Sequence, residues 1–234
     1  MEPTMSALCC NMLLAQLPDS LLVRLQAQAK VLMVRPAQEL VLADQSSSYV
    51  YFPQTALLSL VHTLMDSSST EVMMIGREGM LASHQDNAAI NMLHGRVLRA
   101  GSALQISRGV LAQLAVSYPE LQAMLTAYTD DTLRQLCQVV ACYRHHSVKQ
   151  QLSRWLLAFD DHYPNQPILT THAAMAARLG VRREAVSNAA SALQEAGALH
   201  YHRGQVEHIN RPLLLTYSCE CYHPLQSQYK KTRP

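Results

Sequence analysis

Residues 169–210 constrain the fold of this chain more than any other stretch. They read LTTHAAMAARLGVRREAVSNAASALQEAGALHYHRGQVEHIN, and two segments rich in alanine, a strong helix former, stand out in them. Thr170 or Thr171 can cap a first helix over 173–179, because a threonine hydroxyl accepts a hydrogen bond from the first helical turn. The second alanine-rich segment predicts another helix over 183–196.

Three residues in this stretch are spaced as in a helix-turn-helix. Ala176 is small at the point where two steeply crossing helices must touch, and Gly180 accepts the positive φ of the turn between them. Val186 can pack the second helix back against the first. The spacing therefore predicts a helix-turn-helix whose second helix enters the major groove of DNA. An ordinary helical hairpin inside a core is the alternative.

Two β-prone runs follow these helices. They cover 199–202 and 205–209, and Arg203-Gly204 lies between them. A two-residue connection that ends in glycine is typical of a β-hairpin. A hairpin at this place makes the motif a winged helix-turn-helix.

Basic residues are concentrated in the C-terminal part of the chain. Residues 1–143 contain 8 Lys+Arg and 11 Asp+Glu, a balance of −3, whereas residues 144–234 contain 11 and 6, a balance of +5. Eight of the 11 histidines also lie in the second part. A basic C-terminal part suits a protein that binds a polymer of phosphates, although counts this small can also differ by chance.

Composition places the chain among soluble globular proteins. A length of 234 residues allows one large domain or two modest ones. No apolar run approaches the roughly 20 residues of a membrane span. The N-terminus has no basic residue before Arg24, which makes it a poor signal peptide. We therefore expect a cytoplasmic protein without a membrane partner.

Residues 30–106 read as short β-prone runs separated by turns. The runs are VLMV, ELVL, YVYF, ALLSLVHTL, EVMMI and RVLRA. No crossover helices separate them, so the sheet should be antiparallel and curled, as in a sandwich or a barrel-like roll. Together with helices in the N-terminal residues, this region is predicted to form one domain over 1–117.

A long helix is predicted over 118–146, because Pro119 is favourable at the first helical position. Its apolar and aromatic residues recur every three or four positions, as in the seam between two helices packed side by side. They are Leu121, Leu125, Tyr128, Leu136, Val139 and Tyr143, with Thr132 in the gap. The seam would make this a dimerisation helix, but packing against the sheet explains the same stripe equally well. Residues 147–234 then form the winged helix-turn-helix domain.

This order of elements resembles the Crp/Fnr family of bacterial transcription regulators. LGVRREAVSNAASALQEAGAL resembles the second helix of the family's helix-turn-helix, HYHRGQVEHI its wing, and YVYFPQTALLSL the strands of its roll. The resemblance covers essentially the whole chain. It implies an α+β fold with an N-terminal antiparallel, cyclic-nucleotide-binding-like β-roll, a long dimerisation helix and a C-terminal winged helix-turn-helix.

The resemblance also implies a function. We expect a homodimeric regulator that binds double-stranded DNA in a sequence-specific way, that has RNA polymerase as a further candidate partner, and that is not an enzyme. The alternatives are an interaction module that kept the fold without DNA binding, and an enzyme that uses Cys142 with His145 or His146. Nothing in the sequence orients such a pair.

The effector pocket departs from the family pattern. Members that bind cyclic nucleotides carry Gly-Glu-Leu and an arginine followed by serine or threonine inside the roll. Here the first segment aligns with Gly79-Met80-Leu81 and the second falls near His94-Gly95. A histidine is mostly neutral at pH 7 and cannot replace a bidentate arginine. We therefore expect no dependence on cyclic AMP and no cofactor, and the sequence does not identify an effector.

The resemblance implies which residues contact DNA. Arg183 and Glu184 match family positions that face base edges, where arginine can bind guanine and glutamate can accept from cytosine; Glu184 also suits a helix N-terminus. Asn188 can pair with adenine. Phosphate contacts are expected from Arg182, and likewise from Thr171, His172 and Arg203. The complete predicted set is Thr171, His172, Arg182, Arg183, Glu184, Ser187, Asn188 and Arg203.

The cysteines do not match a cofactor site of the family. An iron–sulfur cluster needs four thiolates that can close on one cluster, and the roll contains no cysteine. Cys137 and Cys142 are five positions apart on the long helix and are predicted to be buried thiols. Cys219-Glu-Cys221-Tyr-His223 offers soft ligands for a metal ion, but one residue separates Cys219 from Cys221, which in a helix places them on opposite faces. We therefore predict no metal site.

Overall fold

The computed structural model describes residues 8–40, 49–82 and 93–223. The chain forms two compact units, Met1–Thr63 with Val72–Arg134, and Leu64–Glu71 with Gln135–Pro234. The start of the predicted N-terminal helices, the second half of the ELVL run and the C-terminal end of the predicted DNA-binding domain lie outside the described residues. Among the helices described, none has the length and apolar character that crossing a membrane requires.

Eight strands of the described chain make two four-stranded sheets, ordered β1-β8-β3-β6 and β2-β7-β4-β5. The strands are β1 (Lys30–Val34), β2 (Glu39–Leu40), β3 (Tyr49–Pro53), β4 (Leu57–Thr63), β5 (Ser69–Ile75), β6 (Leu81–Ala82), β7 (Leu93–Arg99) and β8 (Gly101–Ser107). The strand pairings whose register the structure gives are antiparallel. Apolar side chains from both sheets form one buried cluster, so the predicted curled antiparallel roll is confirmed.

Strand β8 is not among the β-prone runs named from the sequence. It begins at Gly101 and pairs with both β1 and β3. A Cβ at Gly101 would lie 2.4 Å from backbone atoms of Thr55. The glycine therefore marks a close approach of two backbones within a sheet rather than the end of one.

Helices cover the outer face of the first sheet. They are α1 (Asp19–Gln26), α2 (Arg108–Ser117) and α3 (Pro119–His145), and a 3₁₀ turn at Leu14–Gln16 precedes them. The residue before α1 is Pro18, and no side-chain hydrogen bond caps that helix. Leucines of α1 share a second buried cluster with side chains of the sheet.

The N-terminal part of the apolar stripe of α3 packs inside the chain. Leu121 is fully buried, and Leu125 and Tyr128 pack against the same cluster. The Tyr128 hydroxyl donates to the Met80 carbonyl oxygen at 2.8 Å. Periodicity identified the apolar stripe, but a period does not identify what packs against it. For these three residues it is the roll, which is the alternative that the sequence left open.

The second unit contains the predicted winged helix-turn-helix. Its elements are α4 (Val148–His162), β9 (Ile168–Leu169), α5 (His172–Leu179), α6 (Arg183–Glu195), β10 (Leu199–His202), β11 (Gln205–Ile209) and α7 (Arg211–Tyr217). Ser147 caps α4 in a reciprocal capping box with Gln150. The strands form one sheet in the order β10-β11-β9. The predicted bounds of both wing strands are confirmed.

Buried polar contacts hold the second unit together. Arg211 is at the start of α7, and Asp160 and Asp161 are near the end of α4. Arg211 Nη1 lies 2.7 Å from Asp160 Oδ2, and Arg211 Nη2 lies 2.6 Å from Asp161 Oδ1. Elsewhere in the unit, the buried Glu71 carboxylate accepts from the Trp155 indole at 2.7 Å and lies 3.5 Å from Arg178 Nε. Each buried carboxylate thus has a cationic or N–H partner, which offsets the cost of removing it from water.

Helix α7 ends at Tyr217, where Ser218 adopts an extended backbone with φ −80° and ψ 161°. Asn210 caps its start, and a proline lies in the first turn. The two C-terminal cysteines therefore lie in a turn rather than on a helix.

Candidate nucleic-acid interface

The turn between α5 and α6 is built as the sequence predicts. Thr171 caps α5 by accepting from the Ala174 N–H at 3.1 Å. Gly180 ends the helix in the left-handed region, with φ 65° and ψ 34°. Ala176 and Val186 are both buried where the two helices meet. A larger residue at Ala176 or any side chain at Gly180 would disturb this crossing.

Helix α6 separates a buried face from an exposed one. Its buried residues are Val186, Ala189, Ala190 and Leu193. Arg183, Glu184 and Asn188 are exposed on its other side, and Arg182 is exposed at the N-cap position. The structure therefore presents four of the eight predicted DNA contacts together on one helix.

Two predicted DNA contacts are bonded to each other. His172 Nδ1 lies 3.0 Å from the Ser187 hydroxyl oxygen, and both residues are half-buried. The His172 ring also stacks on Tyr201 of β10, with a centroid distance of 4.4 Å and an interplanar angle of 28°. These contacts connect α5 to α6 and to the wing. Sequence reasoning missed Tyr201, since an aromatic residue in a strand looks like ordinary core.

The wing presents Arg203 at its tip. Arg203 has φ 44° and Gly204 φ 84°, and two positive φ values in succession are what a type I′ hairpin requires. The Thr170 N–H donates to the Gly204 carbonyl oxygen at 3.0 Å, which joins the wing to the start of α5. Arg203 itself is exposed. All eight predicted contact residues thus lie on α5, α6, their flanking residues and the wing tip.

The histidine inside this arrangement is electrostatically perturbed. Burial lowers the pKa of His172, and the positive charge of Arg183 lowers this pKa further. The neutral ring is therefore the favoured form in the folded protein, and it can share a proton with the Ser187 hydroxyl as donor or acceptor.

The cysteines are placed differently from expectation. Cys142 is a buried thiol, as predicted, but Cys137 is exposed. Cys219 and Cys221 are both buried, and the Cys219 sulfur lies 3.6 Å from that of Cys142. One spacer residue places two cysteines on opposite faces only in a helix, since in a strand both would lie on one face. Cys219 and Cys221 lie in a turn, so that expectation does not apply to them.

Comparison with known proteins supports this assignment of elements. A family profile described as a Crp-like helix-turn-helix domain matches residues 150–217. No curated protein sequence matches the chain. The chain therefore contains a Crp-like helix-turn-helix domain.

Solved structures share the fold over most of the chain. FixK2 from Bradyrhizobium japonicum is 19% identical with a TM-score of 0.68, and the match covers 82% of this chain and 98% of that one. The c-di-GMP-responsive global regulator CLP from Xanthomonas campestris is 14% identical with a TM-score of 0.65, over 81% and 98%. A CRP-family transcriptional regulator from Thermus thermophilus is 12% identical with a TM-score of 0.64, over 81% and 96%. The fold is that of the Crp/Fnr regulators, which confirms the predicted fold class.

The electrostatic effect of Arg183 on His172 gives a first prediction. An NMR titration should give His172 a pKa below the ordinary histidine value of about 6.5, because burial disfavours the charged ring. Since the folded-state pKa is the lower one, this group reduces stability as the pH falls from about 6.5 through that value. Arg183→Ala should raise the pKa of His172, whereas Arg182→Ala, the matched neighbour, should leave it unchanged. Equal effects of both substitutions would contradict the arrangement.

Proposed function

We propose that this protein is a homodimeric transcription regulator of the Crp/Fnr type that binds double-stranded DNA in a sequence-specific way. The observation that carries the proposal is α6, which buries one face and exposes Arg183, Glu184 and Asn188 on the other. A helix of this kind, held at its start by a tight turn and flanked by a wing, has the form that enters a major groove. The cytoplasm is the expected compartment, and RNA polymerase is a further candidate partner.

The exposed residues divide into base readers and phosphate contacts. Arg183 lies in the first turn of α6, where it can bind the O6 and N7 atoms of guanine. Glu184 can accept from the amino group of cytosine, and Asn188 can pair with adenine one turn further on. Arg182 and Arg203, at the two edges of this surface, are positioned to contact the DNA backbone.

Three further residues of the predicted set, Thr171, His172 and Ser187, contact or orient the DNA backbone in this proposal. Thr171 and His172 lie at the start of α5, where phosphate contacts are expected. Ser187 holds His172 by a hydrogen bond, so it orients a phosphate contact rather than reading a base.

The alternative functions have less support. An interaction module without DNA binding would have no need of Arg182, Arg183 and Glu184 exposed in succession. An enzyme that used Cys142 as its nucleophile would need that sulfur to reach a substrate. Cys142 has no exposed surface, so its sulfur cannot reach a substrate.

The roll interior argues against cyclic AMP as the effector. Met80, which replaces the family's glutamate, is 5% exposed, and its carbonyl oxygen already accepts from Tyr128. A Cβ at Gly95 would lie 2.4 Å from Leu81 Cδ2, so apolar side chains occupy the space beside the second motif. Burial also lowers the pKa of His94, although Glu39 lies 4.0 Å away, so the ring is not a cation at pH 7.

Isothermal calorimetry tests the absence of cyclic AMP binding. We expect no measurable binding at physiological concentrations, because both the ribose-binding carboxylate and the phosphate-binding arginine are missing. Micromolar binding that also changes the affinity for DNA would overturn this part of the proposal.

Dimerisation is proposed for an exposed face of α3, since Leu121, Leu125 and Tyr128 on a neighbouring face pack against the roll. Leu133 and Val140 are 61% and 68% exposed, and they are seven residues apart. That distance is one heptad, so the two side chains share a face of the helix. Apolar side chains at this spacing are typical of a seam with a second copy of the same helix.

Val140→Glu tests the dimer. A charge in the seam should convert the dimer into monomers with weak DNA binding, because one subunit can occupy only one half-site. Light scattering at micromolar concentration measures the mass. Val23→Glu is the matched control, since Val23 is a 57% exposed valine on α1. A monomeric mass for the unsubstituted protein would contradict the proposal, as would equal effects of the two substitutions.

The division between base readers and phosphate contacts gives a prediction about two arginines. Arg183→Ala should relax the preference at one base pair per half-site, since a bidentate contact between arginine and guanine is worth about 1–3 kcal/mol of discrimination. Arg203→Ala should weaken binding to all sequences alike. It should also reduce the slope of log K against log salt by about one unit for each phosphate that the arginine no longer neutralises.

The measurement has two stages. Gel shifts with genomic fragments identify an operator, and the failure of every fragment to bind would refute the proposed function. Each variant is then titrated against the operator and its single-base variants at several salt concentrations. Uniform loss of affinity in Arg183→Ala, with base preference intact, would make Arg183 a phosphate contact.

A further inference from the structure

Four potential metal ligands converge in the second unit. They are the sulfurs of Cys142, Cys219 and Cys221 and a ring nitrogen of His146, and these four atoms all lie within 4.8 Å of one another. Cys142 and His146 are one helical turn apart, since the His146 N–H still donates to the Cys142 carbonyl oxygen at 3.1 Å. The other two cysteines come from the turn that follows α7.

Two of the six distances among these four atoms match the edges of a tetrahedral metal site. Cys142 Sγ lies 3.6 Å from Cys219 Sγ, and Cys221 Sγ lies 3.5 Å from His146 Nδ1. Bonds of about 2.3 Å from zinc to sulfur and about 2.0–2.1 Å from zinc to nitrogen place two sulfurs about 3.8 Å apart, and a sulfur and a nitrogen about 3.5 Å apart. A disulfide would need the two sulfurs at about 2.05 Å.

The surroundings orient the ligand atoms toward one centre. His146 Nε2 lies 3.3 Å from the Glu220 carboxylate, so the other ring nitrogen, Nδ1, faces the sulfurs. A carboxylate on the far side of the ring is the usual support of a histidine ligand. The Gln138 amide donates to Cys221 Sγ at 2.9 Å, which suits a thiolate better than a thiol because the thiolate is the stronger acceptor.

A buried cation supplies the charge balance. Arg154 is 6% exposed, its guanidinium interacts electrostatically with Cys142, and its Nε has no hydrogen-bond partner within the described residues. Three thiolates, a neutral imidazole and a divalent cation carry a formal charge of −1. The guanidinium beside them offsets this charge, and the charged cluster in turn offsets the cost of burying the arginine.

We propose that Cys142, His146, Cys219 and Cys221 form a structural site for a zinc ion. Three thiolates and one imidazole are a ligand set that zinc prefers, and four protein ligands leave no open position for a substrate. The three cysteines are at most 4% exposed, as befits a closed site. The site fastens the turn after α7 to the end of α3, so it stabilises the second unit. It departs from the sequence-based expectation that the chain has no metal site.

Metal content and spectroscopy test the proposal on the full chain, purified under reducing conditions and incubated with Zn²⁺ alone. Mass spectrometry of the elements should find about one tightly held zinc ion per chain, and X-ray absorption should find three sulfurs and one nitrogen around it at about 2.3 and 2.0–2.1 Å. Co²⁺ in place of zinc should give the visible bands of a tetrahedral thiolate site. Removal of the metal with a chelator should lower the melting temperature.

Three substitutions separate this site from adventitious binding. Cys219→Ser should lose the metal, whereas Cys137→Ser should keep it, because Cys137 is exposed on the same helix as Cys142. Cys221→His keeps four ligands, so it should retain cobalt but with a weaker sulfur-to-metal charge-transfer band. This third variant decides the matter if Cys219→Ser does not fold.

Three outcomes would overturn the proposal. One is a protein with all thiols free that binds neither zinc nor cobalt. Another is a stable metal-free protein in which a disulfide joins Cys142 to Cys219, and which binds no metal after the disulfide is reduced. The third is a cobalt spectrum that Cys221→His leaves unchanged.

Discussion

The close crossing of α5 and α6 is the contact on which the DNA-binding surface depends. Ala176 and Val186 are buried there, and Gly180 makes the turn with a positive φ. Because the core side of α6 is fixed by this packing, the direction of its exposed side is fixed as well. His172, bonded to Ser187 and stacked on Tyr201, extends the same rigidity to the wing. The positions of the exposed arginines on α6 therefore depend on these contacts.

Local chemistry explains why this part of the fold was predictable from sequence. A capping threonine, a glycine at a positive φ and a two-residue hairpin turn each act within a few residues, so Thr171, Gly180 and Gly204 identify their elements unaided. The contacts of the roll are different in kind. Gly101 is required by a backbone 46 positions away at Thr55, and no local pattern distinguishes such a glycine from one that ends a strand.

Two further limits on sequence reasoning have the same origin. The stripe through Leu121 and Tyr128 is visible as periodicity, but a period does not say whether the roll or a second subunit covers it. The cysteine cluster joins Cys142 to Cys219 across 77 positions. The signal that could have found it is the pair Cys142 and His146, four residues apart, which is a spacing that places two ligands on one side of a helix.

The tip of the wing shows that foldability alone did not choose every residue. Arg203 holds a left-handed backbone with φ 44°, a conformation that asparagine and glycine adopt more easily and that costs other residues on the order of 1 kcal/mol. An arginine is therefore not the residue that this backbone favours, but it places a long, permanently charged side chain at the tip of the hairpin. The charge that this side chain carries at the tip fits the phosphate contact proposed for it.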